Sequence, residues 1–182
     1  MNTTTVPDEE LIVQLKNGEL NAGSVLYVRH KNAVYSFCLR MLKDPAAAQD
    51  AAQETFLKMI TKIQSIERGV TLKSWLFSVA RNEVLMVLRR NKIIPMEQYD
   101  DETIVFDHST PLSITIQSEM TEILLTAIMQ LKPAYREAYL LRETEGLTYE
   151  EIAKTTSTTV SAVKSKLFKS RAALNEMLKP YL

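Results

Sequence analysis

Apolar residues recur at intervals of three and four along most of this chain, which predicts helices rather than strands. A first helix opens at Asp8 and carries Leu11, Ile12 and Leu15 on one side. Gly18 and Gly23 bracket a break. A second helix is expected over about 24–43, with Val34, Phe37, Cys38, Met41 and Leu42 on its stripe. Asp44-Pro45 is a start signal, an N-capping carboxylate followed by proline at the first helical position. The helix it opens runs to about Ile63, with Ala48, Ala52, Phe56, Met59 and Ile63 on one side. Gly69 marks a loop. Another helix covers about 72–91, where Leu76, Ala80, Val84, Val87 and Leu88 share a face and Trp75 is expected in the core.

The periodicity then stops. Residues 93–118 show no helical pattern and hold Pro95 and Pro111. The stretch is longer than most loops inside a compact domain and reads as a linker. Beyond it, Met120, Ile123, Leu124, Ala127, Ile128 and Leu131 form a strong stripe, Pro133 opens a new helix, and Gly146 ends it. The expected fold class is all-α: two small helical domains, residues 8–92 and 119–182, joined by a flexible linker over 93–118.

Residues 147–174 are the most informative. Thr148 and Glu151 have the spacing of a capping box. A short helix follows with Ile152 and Ala153 inward, the small Ala153 allowing another helix to cross closely. Thr155 to Thr158 read as a turn, and Thr159 as the N-cap of a second helix. Val163 and Leu167 point inward there, while Ser161, Lys164, Ser165, Phe168 and Lys169 fall on or near the opposite face and Arg171 follows. This is the layout of a helix-turn-helix, whose second helix enters the major groove. Lysine and serine bond base edges or phosphates there, and phenylalanine meets a thymine methyl. Ser157 stands in place of the usual turn glycine. By itself the segment is also compatible with an ordinary helical hairpin bearing a solvated lysine face.

Composition narrows the class. The 182 residues are 46% apolar and 24% charged, enough to bury a core. One cysteine, Cys38, excludes an intrachain disulfide framework and a cysteine-based zinc site. Four glycines and six prolines disfavour glycine-rich phosphate loops and many-turned β folds. There is no apolar run of about 18 residues, so no membrane insertion is expected. The opening MNTTTVPDEE lacks the regions of a signal peptide, so a cytoplasmic location is expected. The two histidines, His30 and His108, belong to no metal-ligand spacing or nucleophile–base pair. No cofactor, no metal and no enzymatic activity are therefore expected.

A net charge of zero argues against a nucleic-acid binder until it is resolved along the chain. Residues 58–92 hold eight bases against two acids, and residues 157–182 five against one. Residues 93–118 hold five acids and no lysine or arginine. Two basic helical segments thus flank an acidic linker.

Three segments, taken together, resemble the extracytoplasmic-function (ECF) sigma factors, the small two-domain class of bacterial RNA polymerase specificity subunits. DPAAAQDAAQETFLKMI resembles the family's polymerase-binding helix, with its QETFL run at Gln53, Glu54, Thr55, Phe56 and Leu57. LKSWLFSVARNEVLMVLRR resembles the segment that melts the promoter and reads the minus-ten element. YEEIAKTTSTTVSAVKSKLFKSRAAL resembles the domain that reads the minus-thirty-five element. The likeness spans about residues 8–178.

The resemblance implies that Asp50, Gln53 and Glu54 bind core polymerase. It implies minus-ten roles for Arg68, Lys73, Asn82, Met86, Arg89 and Arg90, with residues 66–73 as a capture loop for a flipped base. Ser161, Lys164, Ser165, Phe168, Lys169 and Arg171 would read the upstream element. The residue chemistry suits these roles: Asn82 offers both a donor and an acceptor to a base edge, and arginines hold phosphates of a separated strand. Gln49, Ala51 and Ala52 depart from the larger or acidic residues common in the polymerase helix. The implied partners are core RNA polymerase, promoter DNA and an anti-sigma factor. The rival reading is a stand-alone helix-turn-helix regulator with an N-terminal sensing or dimerisation domain, which would bind an operator without polymerase.

Overall fold

The structure, a computed structural model, describes residues 6–66, 69–91 and 119–181. It divides between Asn91 and Lys92 into two compact units. Both are helical, with no strand among the described residues. The expected linker over 93–118 lies outside the described residues.

The N-terminal unit contains α1 (Asp8–Lys16), α2 (Leu20–Leu42), α3 (Pro45–Lys62) with a 3-10 turn at Ile63–Ser65, and α4 (Leu72–Arg90). α2 is the central helix, packed on α1, α3 and α4. Leu26, Val34, Phe37, Cys38, Met59, Leu76, Phe77 and Ala80 form its core. The rings of Phe37 and Phe77 meet edge to face at 5.4 Å, an arrangement that adds to simple area burial. Asp44 caps α3 as expected, its Oδ1 accepting from the amides of Ala46 at 2.9 Å and Ala47 at 3.2 Å. Pro7 cannot cap α1 with a side chain. Instead Asp8, in the first turn, takes Arg29 and the His30 Nε2 (2.6 Å) from α2, which ties the two helices together.

Two expectations need correction here. The break after α1 rests on Gly18 alone (φ 92°), and α2 begins at Leu20 and runs through Gly23. A Cβ at Gly23 would stand 3.0 Å from the Ile60 Cδ1. That glycine therefore serves close helix packing rather than a turn. Trp75 is half-buried rather than in the core, and Leu72 and Leu76 take the inward positions.

Cys38 is fully buried, and this burial pushes its thiol up to about 12. Only the thiolate is nucleophilic. Native protein at pH 8 should therefore react with a maleimide at least about a hundredfold more slowly than unfolded chain. Measuring label uptake with and without denaturant checks this.

The C-terminal unit contains α5 (Glu119–Gln130), α6 (Pro133–Tyr139), α7 (Tyr149–Thr156) and α8 (Val160–Leu178), the last followed by a 3-10 turn at Lys179–Tyr181. α8 packs on α5, α6 and α7. Leu140, Leu141, Leu147, Ile152, Val163 and Leu167 fill the core between them. The helix begun at Pro133 does not run evenly to Gly146. It widens into a π-helical turn at Leu140–Thr144 before Gly146 ends it at φ 70°.

The turn expected over Thr155–Thr158 is shorter than that. Thr155 and Thr156 are helical and buried. The Thr156 hydroxyl donates to the Ile152 carbonyl at 2.8 Å, so its polar atom is satisfied within the helix. Ser157 alone takes the left-handed conformation, at φ 54°. A serine there is strained relative to glycine. Ser157→Gly should therefore raise the stability of the C-terminal unit by about 0.5–1 kcal/mol, read as a higher melting temperature.

Candidate nucleic-acid interface

The helix-turn-helix is assembled by local hydrogen bonds. The Glu151 amide donates to the Thr148 Oγ1 at 3.1 Å, and the Thr148 amide donates to the Glu151 Oε2 at 2.8 Å, completing the expected capping box. Thr159 caps α8 by accepting from the Ala162 amide at 3.1 Å. With Val163 and Leu167 buried, the other side of α8 faces outward. Ser161, Lys164 and Ser165 are exposed, Lys169 is half-buried, and Phe168 is 74% exposed. An apolar ring so open on a basic helix has no role in the core.

A feature not legible in the sequence lies beside this stripe. The Tyr149 ring is approached by the Arg142 guanidinium at 4.9 Å and the Lys164 ammonium at 5.9 Å. Such cation–π contacts hold cations together that would otherwise repel. Arg142 also donates to the Leu147 carbonyl at 2.8 Å. Arg171, expected to bind DNA, is paired through Nη2 with the Glu143 Oε1 at 2.5 Å. That bond to Glu143, and a further one to Tyr149, hold its guanidinium pKa above the usual value.

In the N-terminal unit, Thr71 caps α4 by accepting from the Ser74 amide at 3.2 Å. The helix then presents Asn82, Met86, Arg89 and Arg90 along one exposed side, opposite the buried Leu76, Ala80, Val84 and Leu88. Lys73 is half-buried at its first turn. Arg68 lies outside the described residues. On α3, Asp50 and Gln53 are exposed and Glu54 is half-buried, while Phe56 and Met59 turn inward. Leu57, 55% exposed, and Ile60 continue that outer face. Tyr27 of α2 leans edge to face on Phe56 at 4.9 Å. The outer face of α3 is therefore mixed, acidic at one end and apolar at the other. Lys58 links the two helices, reaching Glu83 of α4 at 2.5 Å and Glu54 at 3.8 Å.

Residues 26–93 match the family described as Sigma-70 region 2, and residues 121–174 match Sigma-70, region 4. The chain belongs to the ECF class of the sigma-70 family. Its sequence is 28% identical to the RNA polymerase sigma-H factor of Pseudomonas aeruginosa, over 98% of this chain and 97% of that one. It is 27% identical to the ECF RNA polymerase sigma-E factor of Escherichia coli, over 96% of each chain. The solved sigma factor RpoE of Bartonella quintana, in complex with the anti-sigma factor NepR, superposes with a TM-score of 0.68 at 26% identity, covering 84% of this chain and 94% of that one. CnrH shares the fold, with a TM-score of 0.70 at 19% identity, over 95% of this chain and 97% of that one. This sigma factor directs promoter-specific transcription initiation, with core RNA polymerase and promoter DNA as its partners. No helix among its described residues is long and apolar enough to cross a membrane.

Proposed function

We propose that this sigma factor divides its work among three surfaces. The N-terminal unit, residues 8–92, binds core polymerase through the α3 face bearing Asp50, Gln53 and Glu54. It reads and opens the minus-ten element with Asn82, Met86, Arg89 and Arg90 on α4, together with Lys73 and Arg68. The C-terminal unit, residues 119–182, reads the minus-thirty-five element through Ser161, Lys164, Ser165, Phe168, Lys169 and Arg171. Residues 93–118 tether the two inside the polymerase. The observation that carries the reading is the outward stripe of α8: an open phenylalanine beside lysines, on a helix capped into a helix-turn-helix.

An anti-sigma factor is the further partner. RpoE of Bartonella quintana is seen bound to one. The mixed acidic and apolar face of α3, with Leu57 and Ile60 open, has the character such a partner would cover. The protein works in the cytoplasm, as an initiation factor rather than an enzyme.

Phe168→Ala tests the upstream surface. The holoenzyme should lose about tenfold in affinity for promoters carrying the upstream element, the size of one good base contact. Its affinity for core polymerase should not change. Equal promoter affinity for wild type and variant in a gel-shift titration would remove Phe168 from the interface.

A further inference from the structure

The pair between Arg171 and Glu143 joins α8 to the π-helical turn, 28 residues earlier in the chain. Arg171 lies three residues beyond Phe168 and seven beyond Lys164, so it continues the same outward stripe. The side chains of Arg171 and Glu143 remain 51% and 38% exposed. A pair that open adds little to stability. A carboxylate and a phosphate offer a guanidinium the same two-oxygen acceptor. The Tyr149 ring is approached by Arg142 and Lys164, Arg171 bonds to the same tyrosine, and Glu143 is the carboxylate that pairs with Arg171. Across residues 119–182 the bases number nine and the acids eight. This unit therefore brings little net attraction to DNA, and each neutralised cation matters.

We propose that Glu143 is an intramolecular stand-in for a DNA phosphate, holding Arg171 so that the free sigma factor grips duplex DNA only weakly. This rests on the assignment of α8 as the upstream-element reader. On DNA, a backbone phosphate replaces the Glu143 carboxylate on Arg171. The carboxylate, left beside the phosphate path, opposes binding that polymerase and the correct sequence do not reinforce. Sequence-independent affinity is set by phosphate contacts and falls with salt roughly in proportion to their number. Glu143 thus lowers background affinity through Arg171, whose role on DNA is the phosphate contact.

The test uses the full-length chain, without polymerase, titrated onto a duplex that lacks promoter elements over a series of salt concentrations. Glu143→Gln keeps the size and the hydrogen-bonding oxygen but removes the charge. It should bind about three- to tenfold more tightly near 0.1 M salt, with the log–log salt slope steeper by about one ion. In an Arg171→Ala background the same change should bring no gain. Unchanged or weaker binding by Glu143→Gln, or a gain that survives the loss of Arg171, overturns the proposal. If wild type shows salt-dependent binding while Glu143→Gln equals it, only the role of Glu143 fails. If neither chain shows any salt-dependent binding, the proposal for Glu143 also fails, while the α8 assignment is decided separately by the holoenzyme titration of Phe168→Ala.

Discussion

Lys58→Met should destabilise the N-terminal unit by about 3 kcal/mol, because it strands a buried carboxylate. The Glu83 side chain is 8% exposed, against 28% for its partner Lys58, and their contact is 2.5 Å. Hydrogen bonding to Glu83 raises the Lys58 pKa above its usual value. Removing the lysine leaves the Glu83 carboxylate buried without its partner, which is unfavourable. Glu83→Met should cost less, since the Lys58 stem can carry its ammonium out to water. The double Met variant should lie close to wild type. Urea unfolding of the four proteins measures the cycle. A single Lys58→Met effect below about 1 kcal/mol, the range of an exposed pair, would place Glu83 effectively in solvent. The sign in pH follows from the raised lysine pKa. The pair's contribution is fully present below the ordinary lysine value and is lost as pH rises through the folded-state value above it.

Asn82→Ala should reduce promoter opening by about tenfold or more, within the 1–3 kcal/mol of one side chain–base contact. Asn82 is exposed on α4 four residues before Met86, on the side facing away from the core. Its amide has no packing role to lose, so core polymerase affinity and unfolding stability should match wild type. Permanganate reactivity of promoter thymines, with and without the substitution, reads the opened strand directly. Loss of polymerase binding in this variant would contradict the assignment of Asn82 to DNA.

The helices were legible because their signals are local. Apolar spacing, the Asp44-Pro45 start, the Thr148–Glu151 box and the Thr159 cap all act within one or two turns. Gly23 and Thr155–Thr156 were misread for the complementary reason. Their propensities argue for breaks, but tertiary packing overrides them, the close approach of Ile60 at Gly23 and a buried, back-bonded hydroxyl at Thr156. The stripe on α8 was legible because its inward and outward positions separate cleanly. Leu57 and Ile60 fall off the inward stripe of Ala48, Ala52, Phe56, Met59 and Ile63, and periodicity says only that they face away from it, not what would cover them. The Tyr149 cluster was hidden because Arg142 and Glu143 reach it through a π-helical turn with no signature in the residue pattern. Net neutrality, which first opposes nucleic-acid binding, dissolves into basic and acidic segments once the chain is divided.

The most direct test of a promoter-directing role adds the purified chain to core RNA polymerase on a pool of randomised promoters and sequences the run-off transcripts. The expected result is initiation that depends on the added chain, from templates enriched in one downstream and one upstream element at fixed spacing. Failure to bind core polymerase, with no template enriched, would contradict the account. So would selection of a single operator by the chain alone.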